Sequence, residues 1–118
     1  MATEIERIEL NDRVEYRLND QLHREDGPAI ERVSGTKAWY LNGKRHRTDG
    51  PAREQSGNKS WWFNGRRHRP HGPAIEWANG DKEWYLNGKN VPKHQVNEFR
   101  CQLFLKSLIV NRLSYKYF

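Results

Sequence analysis

A fragment of about 23 residues recurs along this chain, and missing such a period would misread the whole fold. Trp39-Tyr40-Leu41-Asn42-Gly43 returns as Trp61-Trp62-Phe63-Asn64-Gly65 and as Trp84-Tyr85-Leu86-Asn87-Gly88, with Tyr16-Arg17-Leu18-Asn19-Asp20 as a degenerate first copy. From Asn to Asn the steps are 23, 22 and 23 residues. Downstream of each Asn come His-Arg (23–24, 46–47, 68–69) and then Asp26-Gly27-Pro28-Ala29, Asp49-Gly50-Pro51-Ala52 and His71-Gly72-Pro73-Ala74. Each copy then carries a Glu (Glu31, Glu54, Glu76) and a second glycine turn at Ser34-Gly35, Ser56-Gly57 or Asn79-Gly80. In the last copy Val91-Pro92 stands where His-Arg is expected, so the array ends there.

Each copy reads as two short strands and two turns. Asn-Gly tolerates positive φ at both positions and so favours a two-residue type I′ hairpin. Gly-Pro interrupts the ladder, because proline has no N–H to donate. The predicted fold is mainly β: a single-domain antiparallel meander or solenoid of tandem hairpin repeats in which each unit buries its apolar face only by stacking on its neighbours. The organisation is an N-terminal segment (1–13), an array (14–92, with units near 16–38, 39–60, 61–83 and a partial 84–92) and a C-terminal amphipathic helix and tail (93–118). Apolar residues at 96, 99, 103, 110 and 113 carry the helix, which is expected to cap the last unit, with a dimerisation helix or, given Arg100, Lys106, Arg112 and Lys116, a membrane-surface helix as the alternatives. Ile5, Ile8 and Leu10 suggest one more strand at the other end.

Strand alternation assigns faces. Tyr16, Trp39, Trp61 and Trp84 share one with Leu18, Leu41, Phe63 and Leu86, and these eight are the expected core. Tyr40, Trp62 and Tyr85 project from the opposite face as a candidate binding stripe. With basic neighbours, such a stripe suits a protein partner or stacking on single-stranded bases, or else it is a second packed layer.

At this point the pattern resembles the MORN-repeat family, whose units have this length and place an aromatic strand before Asn-Gly. The run Trp39-Tyr40-Leu41-Asn42-Gly43-Lys44-Arg45-His46-Arg47-Thr48-Asp49-Gly50-Pro51-Ala52 looks like a divergent subtype of the kind found in large DNA viruses and phages. It departs from the usual unit in having Arg and then Asp-Gly-Pro-Ala after the His, where Gly-x-Gly is common. The resemblance implies a non-enzymatic scaffold for protein–protein interaction or self-association, including homodimers.

Little in the sequence points to chemistry. One cysteine, Cys101, excludes an intramolecular disulfide and a multi-cysteine zinc site. Equivalent histidines His23, His46 and His68 sit one unit apart, roughly 9–10 Å, too far to share a metal; a structural hydrogen-bonding role is expected instead, with Asp26 or Asp49 as candidate partners. No asymmetric acid–base or nucleophile constellation stands out, so no catalytic, cofactor or metal site is assigned. The N-terminus lacks a signal-peptide pattern, and no apolar run approaches the roughly 18–20 residues of a spanning helix, so a soluble intracellular protein is expected, within a host cell or virion if the source is viral. A formal charge of +6 keeps anionic lipid or nucleic acid open as the alternative partner.

Overall fold

Turn chemistry decides the architecture. In the computed structural model, which describes residues 4–116 and the side chains of 4–106, the Asn-Gly pairs have positive φ at both positions: Asn42 and Gly43 at 50° and 78°, Asn64 and Gly65 at 49° and 82°, Asn87 and Gly88 at 50° and 85°. These are type I′ turns, whose twist matches that of the strands they join. The irregular 22-residue step has an equally local cause. In the first and third copies the second turn spans three residues: Arg32 N–H donates to Thr36 O and Gly35 N–H to Arg32 O, and Trp77, Asp81 and Gly80 repeat the pattern. In the middle copy Gln55 pairs directly with Asn58 across Ser56-Gly57, both at positive φ. A two-residue turn replaces a three-residue one, and the copy is shorter by one.

The chain runs β1 (Glu6–Glu9), β2 (Arg13–Leu18), β3 (Gln21–Leu22), β4 (Ile30–Arg32), β5 (Lys37–Ala38), β6 (Tyr40–Leu41), β7 (Lys44–Arg45), β8 (Arg53–Gln55), β9 (Asn58–Ser60), β10 (Trp62–Phe63), β11 (Arg66–Arg67), β12 (Ile75–Glu76), β13 (Lys82–Leu86), β14 (Lys89–Val91) and α1 (Lys93–Lys116). A single antiparallel sheet takes the order β1-β2-β4-β5-β8-β9-β12-β13-β14, with β3 also on β2, while β6-β7 and β10-β11 form short hairpins of their own. The mainly β meander with a C-terminal helix is as expected. It is an open sheet: β1, rich in charge, forms one edge, which discourages pairing with another chain.

Trp39 and Trp61 are the points where a strand changes partners. Trp39 N–H donates to Ala52 O later in its own copy, while its carbonyl accepts from His46 in the hairpin between them. Trp61 does the same with Ala74 and His68. Successive copies are joined by the pairing of β5 with β8 and of β9 with β12, and by the N–H groups of Arg24, Arg47 and Arg69 donating to the carbonyls of Tyr40, Trp62 and Tyr85.

The core differs from the expectation. None of Tyr16, Trp39, Trp61, Trp84, Leu18, Leu41, Phe63 and Leu86 is fully buried; seven are half-buried and Phe63 is 45% exposed. The fully enclosed positions are Ala29, Ala52 and Ala74, each at 0%. The backbone bonds Tyr16 to Ala29, Trp39 to Ala52 and Trp61 to Ala74 put the row Tyr16, Ala29, Trp39, Ala52, Trp61, Ala74, Trp84 across one face, large and small in alternation. Adjacent strands lie only about 4.8 Å apart, so bulky rings on every strand would pack on one another and leave no space beside each ring. Alanine between them leaves room for a planar group against each ring, and a single-layer sheet cannot hide that ring completely.

Arginine is that planar group. The Arg24, Arg47 and Arg69 guanidinium carbons lie 3.9, 3.9 and 3.8 Å from the ring centres of Tyr16, Trp39 and Trp61. Each donates from Nη1 to the carbonyl of Pro28, Pro51 or Pro73, at 3.1, 3.0 and 3.0 Å. Glycine precedes each proline for a steric reason, since a Cβ at Gly27, Gly50 or Gly72 would lie 2.9, 2.8 or 3.2 Å from the guanidinium carbon. Trp84, lacking such an arginine, has Lys93 Nζ 6.0 Å from its ring centre.

The helix covers the last copies through its first turns. Val96 is buried, and Phe99 meets His68 edge-on with ring centres 6.1 Å apart. Leu103, expected on the packed side, is 40% exposed: helix and sheet have parted by then. Expected positions 110 and 113 lie outside the residues whose side chains are described.

Candidate functional surfaces

The two faces of the array handle charge differently. On the front, the face of the tryptophan–alanine row, Glu31, Lys37, Glu54, Lys59, Glu76 and Lys82 oppose one another in successive strands, so unlike charges alternate across the sheet. The stacked arginines also meet acids: Arg24 lies 3.1 Å from Asp26 and 3.4 Å from Glu31, Arg47 is 2.9 Å from Asp49 and 3.8 Å from Glu54, and Arg69 is 3.6 Å from Glu76. The Arg47 hydrogen bond holds the Asp49 carboxyl below its usual range. The acids and bases of this row, and its stacked arginines, meet opposite charge.

The back carries Tyr40, Trp62 and Tyr85 in one row, as alternation predicts. They are half-buried, and the return strands supply the reason. Tyr40 pairs with Arg45 and Trp62 with Arg67. The Arg45 guanidinium lies 5.5 Å from the Tyr40 ring centre and 4.8 Å from that of Trp62; Arg67 lies 5.1 Å from Trp62 and 5.4 Å from Tyr85. Ring and cation alternate over five side chains. Among the described residues neither arginine has a carboxylate within 4.0 Å, and the buried Nε of each lacks a hydrogen-bond partner. Sequence reasoning found the rings and missed the arginines, whose place depends on hairpin register.

The histidines form a third row. His23 Nδ1 accepts the Asn42 N–H at 3.0 Å, His46 that of Asn64 at 3.1 Å and His68 that of Asn87 at 2.9 Å. Beside each bond, the following glycine N–H donates to the carbonyl of Leu22, Arg45 or Arg67. Each turn is therefore clamped by the copy before it, and the expected partners Asp26 and Asp49 take no part. An Nδ1 that accepts must carry no proton, so the clamp uses neutral imidazole with its hydrogen on Nε2. In the final copy Val91 removes the acceptor, and Pro92 removes the N–H by which Arg24, Arg47 and Arg69 reach the carbonyls of Tyr40, Trp62 and Tyr85. Both links to a further copy are chemically deleted, which is why the array stops.

Burial holds the His68 imidazole below its ordinary 6.5. The unfolded chain keeps that value and binds more protons in the interval between the two, so stability is complete above pH 6.5 and falls as pH drops through the folded value. A thermal unfolding midpoint lower at pH 5.5 than at pH 7.5 is the expected result, measured above the carboxylate range. An unchanged midpoint would contradict the clamp.

Front and back also differ in cavities. Two equivalent grooves of about 510 and 540 Å³ lie on the front, the first lined by Trp39, Arg24, His46 and Arg47, the second by Trp61, Arg47, His68 and Arg69. On the back a smaller cavity of about 60 Å³ is lined by Arg53, Asn58, Ser60, Arg67 and Trp77. Among the described residues no three His, Cys, Asp or Glu side chains gather as metal ligands, and no helix is long and apolar enough to cross a membrane. Comparison with known proteins adds no relative: no family model, no curated protein and no solved structure matches the chain.

Proposed function

We propose that this chain is a non-enzymatic, MORN-like interaction scaffold that self-associates through α1. The observation carrying this reading is the exposed middle of the helix. Beyond Phe99, Leu103, Phe104 and Leu105 are 40%, 64% and 57% exposed and line an open pocket of about 750 Å³ with Arg100, Cys101 and His71. Adjacent apolar side chains in water favour association. A second copy offers an identical apolar helix, and a two-fold pairing of like surfaces closes without further growth. The clamped array supplies a stiff platform from which the helix is presented. An exposed free thiol at Cys101 fits a reducing, intracellular setting.

Sedimentation equilibrium tests the reading. A concentration-dependent dimer is expected, with Phe104→Asp shifted to monomer while keeping the wild-type melting midpoint, because Phe104 supports nothing in the array. A wild-type chain that stays monomeric at high micromolar concentration would overturn self-association.

A further inference from the structure

Copies of a repeat share what folding requires, so positions where one copy departs from its siblings carry information that the scaffold does not need. On the back such departures converge. Arg53 stands where both neighbouring copies have isoleucine, Ile30 and Ile75, and Trp62 where both have tyrosine, Tyr40 and Tyr85; beside them lie two positions at which all three copies differ, Ser60 against Ala38 and Glu83, and Trp77 against Arg32 and Gln55. The register puts Arg53 opposite Ser60, Ser60 opposite Ile75, and Trp62 opposite Arg67. Trp62 Nε1 donates to Ser60 Oγ at 2.8 Å. Arg53, Asn58, Ser60, Arg67 and Trp77 line the 60 Å³ cavity on this face.

The chemistry of that cavity is cationic. The Arg53 side chain bonds only the neutral Gln55 side chain, and the Arg67 side chain makes no hydrogen bond or ion pair among the described residues. Every stacked arginine on the front meets an acid, whereas Arg53 and Arg67 share a cavity and neither has a carboxylate within 4.0 Å among the described residues. Glu83 is the nearby carboxylate on the back, and it is engaged by Trp77 Nε1 at 2.8 Å. That bond fixes the indole while leaving Trp77 42% exposed. The cavity holds several waters' worth of space, about that of one tetrahedral oxyanion. Arg45 continues the line of unneutralised guanidiniums one copy further, roughly 10 Å away.

We infer that this cavity and the Trp77 ring together form a binding site for single-stranded nucleic acid: a backbone phosphate between Arg53, Ser60 and Arg67, and a base stacked on Trp77. Guanidinium forks match phosphate oxygens, and an exposed indole accepts any base by its π face. A duplex keeps its bases stacked on one another and offers none to Trp77. A lone exposed ring beside a one-phosphate cavity is poor equipment for a lipid surface, which rewards clustered apolar side chains.

The test is fluorescence anisotropy with a labelled oligodeoxythymidylate of about ten nucleotides at physiological salt, with tryptophan emission followed in parallel. Binding with quenching is expected in the full-length chain, and F104D should bind equally, since this site is independent of α1. Arg53→Ile installs the residue that both neighbouring copies carry, so its melting midpoint should not fall while affinity drops roughly tenfold or more. Trp77→Gln, the residue of the middle copy, should lose affinity and quenching together. Unchanged affinity in R53I would overturn the proposal. So would equal affinity for the duplex, or phosphatidylserine vesicles that bind more tightly than the oligonucleotide with the same dependence on Arg53.

Discussion

Replacing Ala52 with Leu should destabilise the fold by about 3 kcal/mol, the upper end of what overpacking usually costs. Ala52 is completely enclosed, its N–H donating to Ser60 O and its carbonyl accepting from Trp39, both at 2.8 Å. The backbone cannot retreat without breaking bonds on both sides. Three added carbons must enter the space between Trp39 and Trp61 where Arg47 lies against the Trp39 ring. Urea denaturation checks this, with Val33→Leu as the control because Val33 is 83% exposed. A wild-type midpoint for A52L would mean that the alanine row is not the packed centre.

Arg47→Ala should cost a similar amount, about 2–4 kcal/mol. Its guanidinium contributes up to about 2 kcal/mol over a partly desolvated indole, and a charged donor to the Pro51 carbonyl about 1.5–3 kcal/mol. The two share one side chain and do not simply add. The surface ion pairs to Asp49 and Glu54 contribute little beyond this. Arg47→Lys should recover less than half, because lysine keeps the charge and loses both the plane and the fork. Full recovery by lysine in denaturant melts would show that charge alone matters and that the stacked geometry does not.

Legibility in the sequence followed the range of the interactions. Asn42-Gly43 and its equivalents were readable because a type I′ turn is a property of two residues. So were the faces of Trp39 and Tyr40, which period-two alternation determines. Ala29, Ala52 and Ala74 were passed over for lack of apolar area, yet smallness is what lets tryptophan and arginine fill the neighbouring strands. The histidine row was visible, but its partner lies 18 or 19 residues away in the next copy, so nearby aspartates attracted the assignment. Arg45 and Arg67 reach Trp62 only through hairpin register. The helix was evident from its spacing, whereas the point at which it leaves the sheet depends on where the sheet ends.

Each copy is clamped by the one before it, and amide hydrogen exchange at the hairpin tips reports this directly. Asn42, Asn64 and Asn87 sit at exposed turns, where an isolated hairpin would exchange at nearly the unstructured rate. With their N–H groups bound to His23, His46 and His68, these three amides should be strongly protected, while Asn19, with no described copy before it to supply a histidine, exchanges fast. Exchange at Asn42, Asn64 and Asn87 as rapid as at Asn19 would show that the copies are neighbours without being locked together.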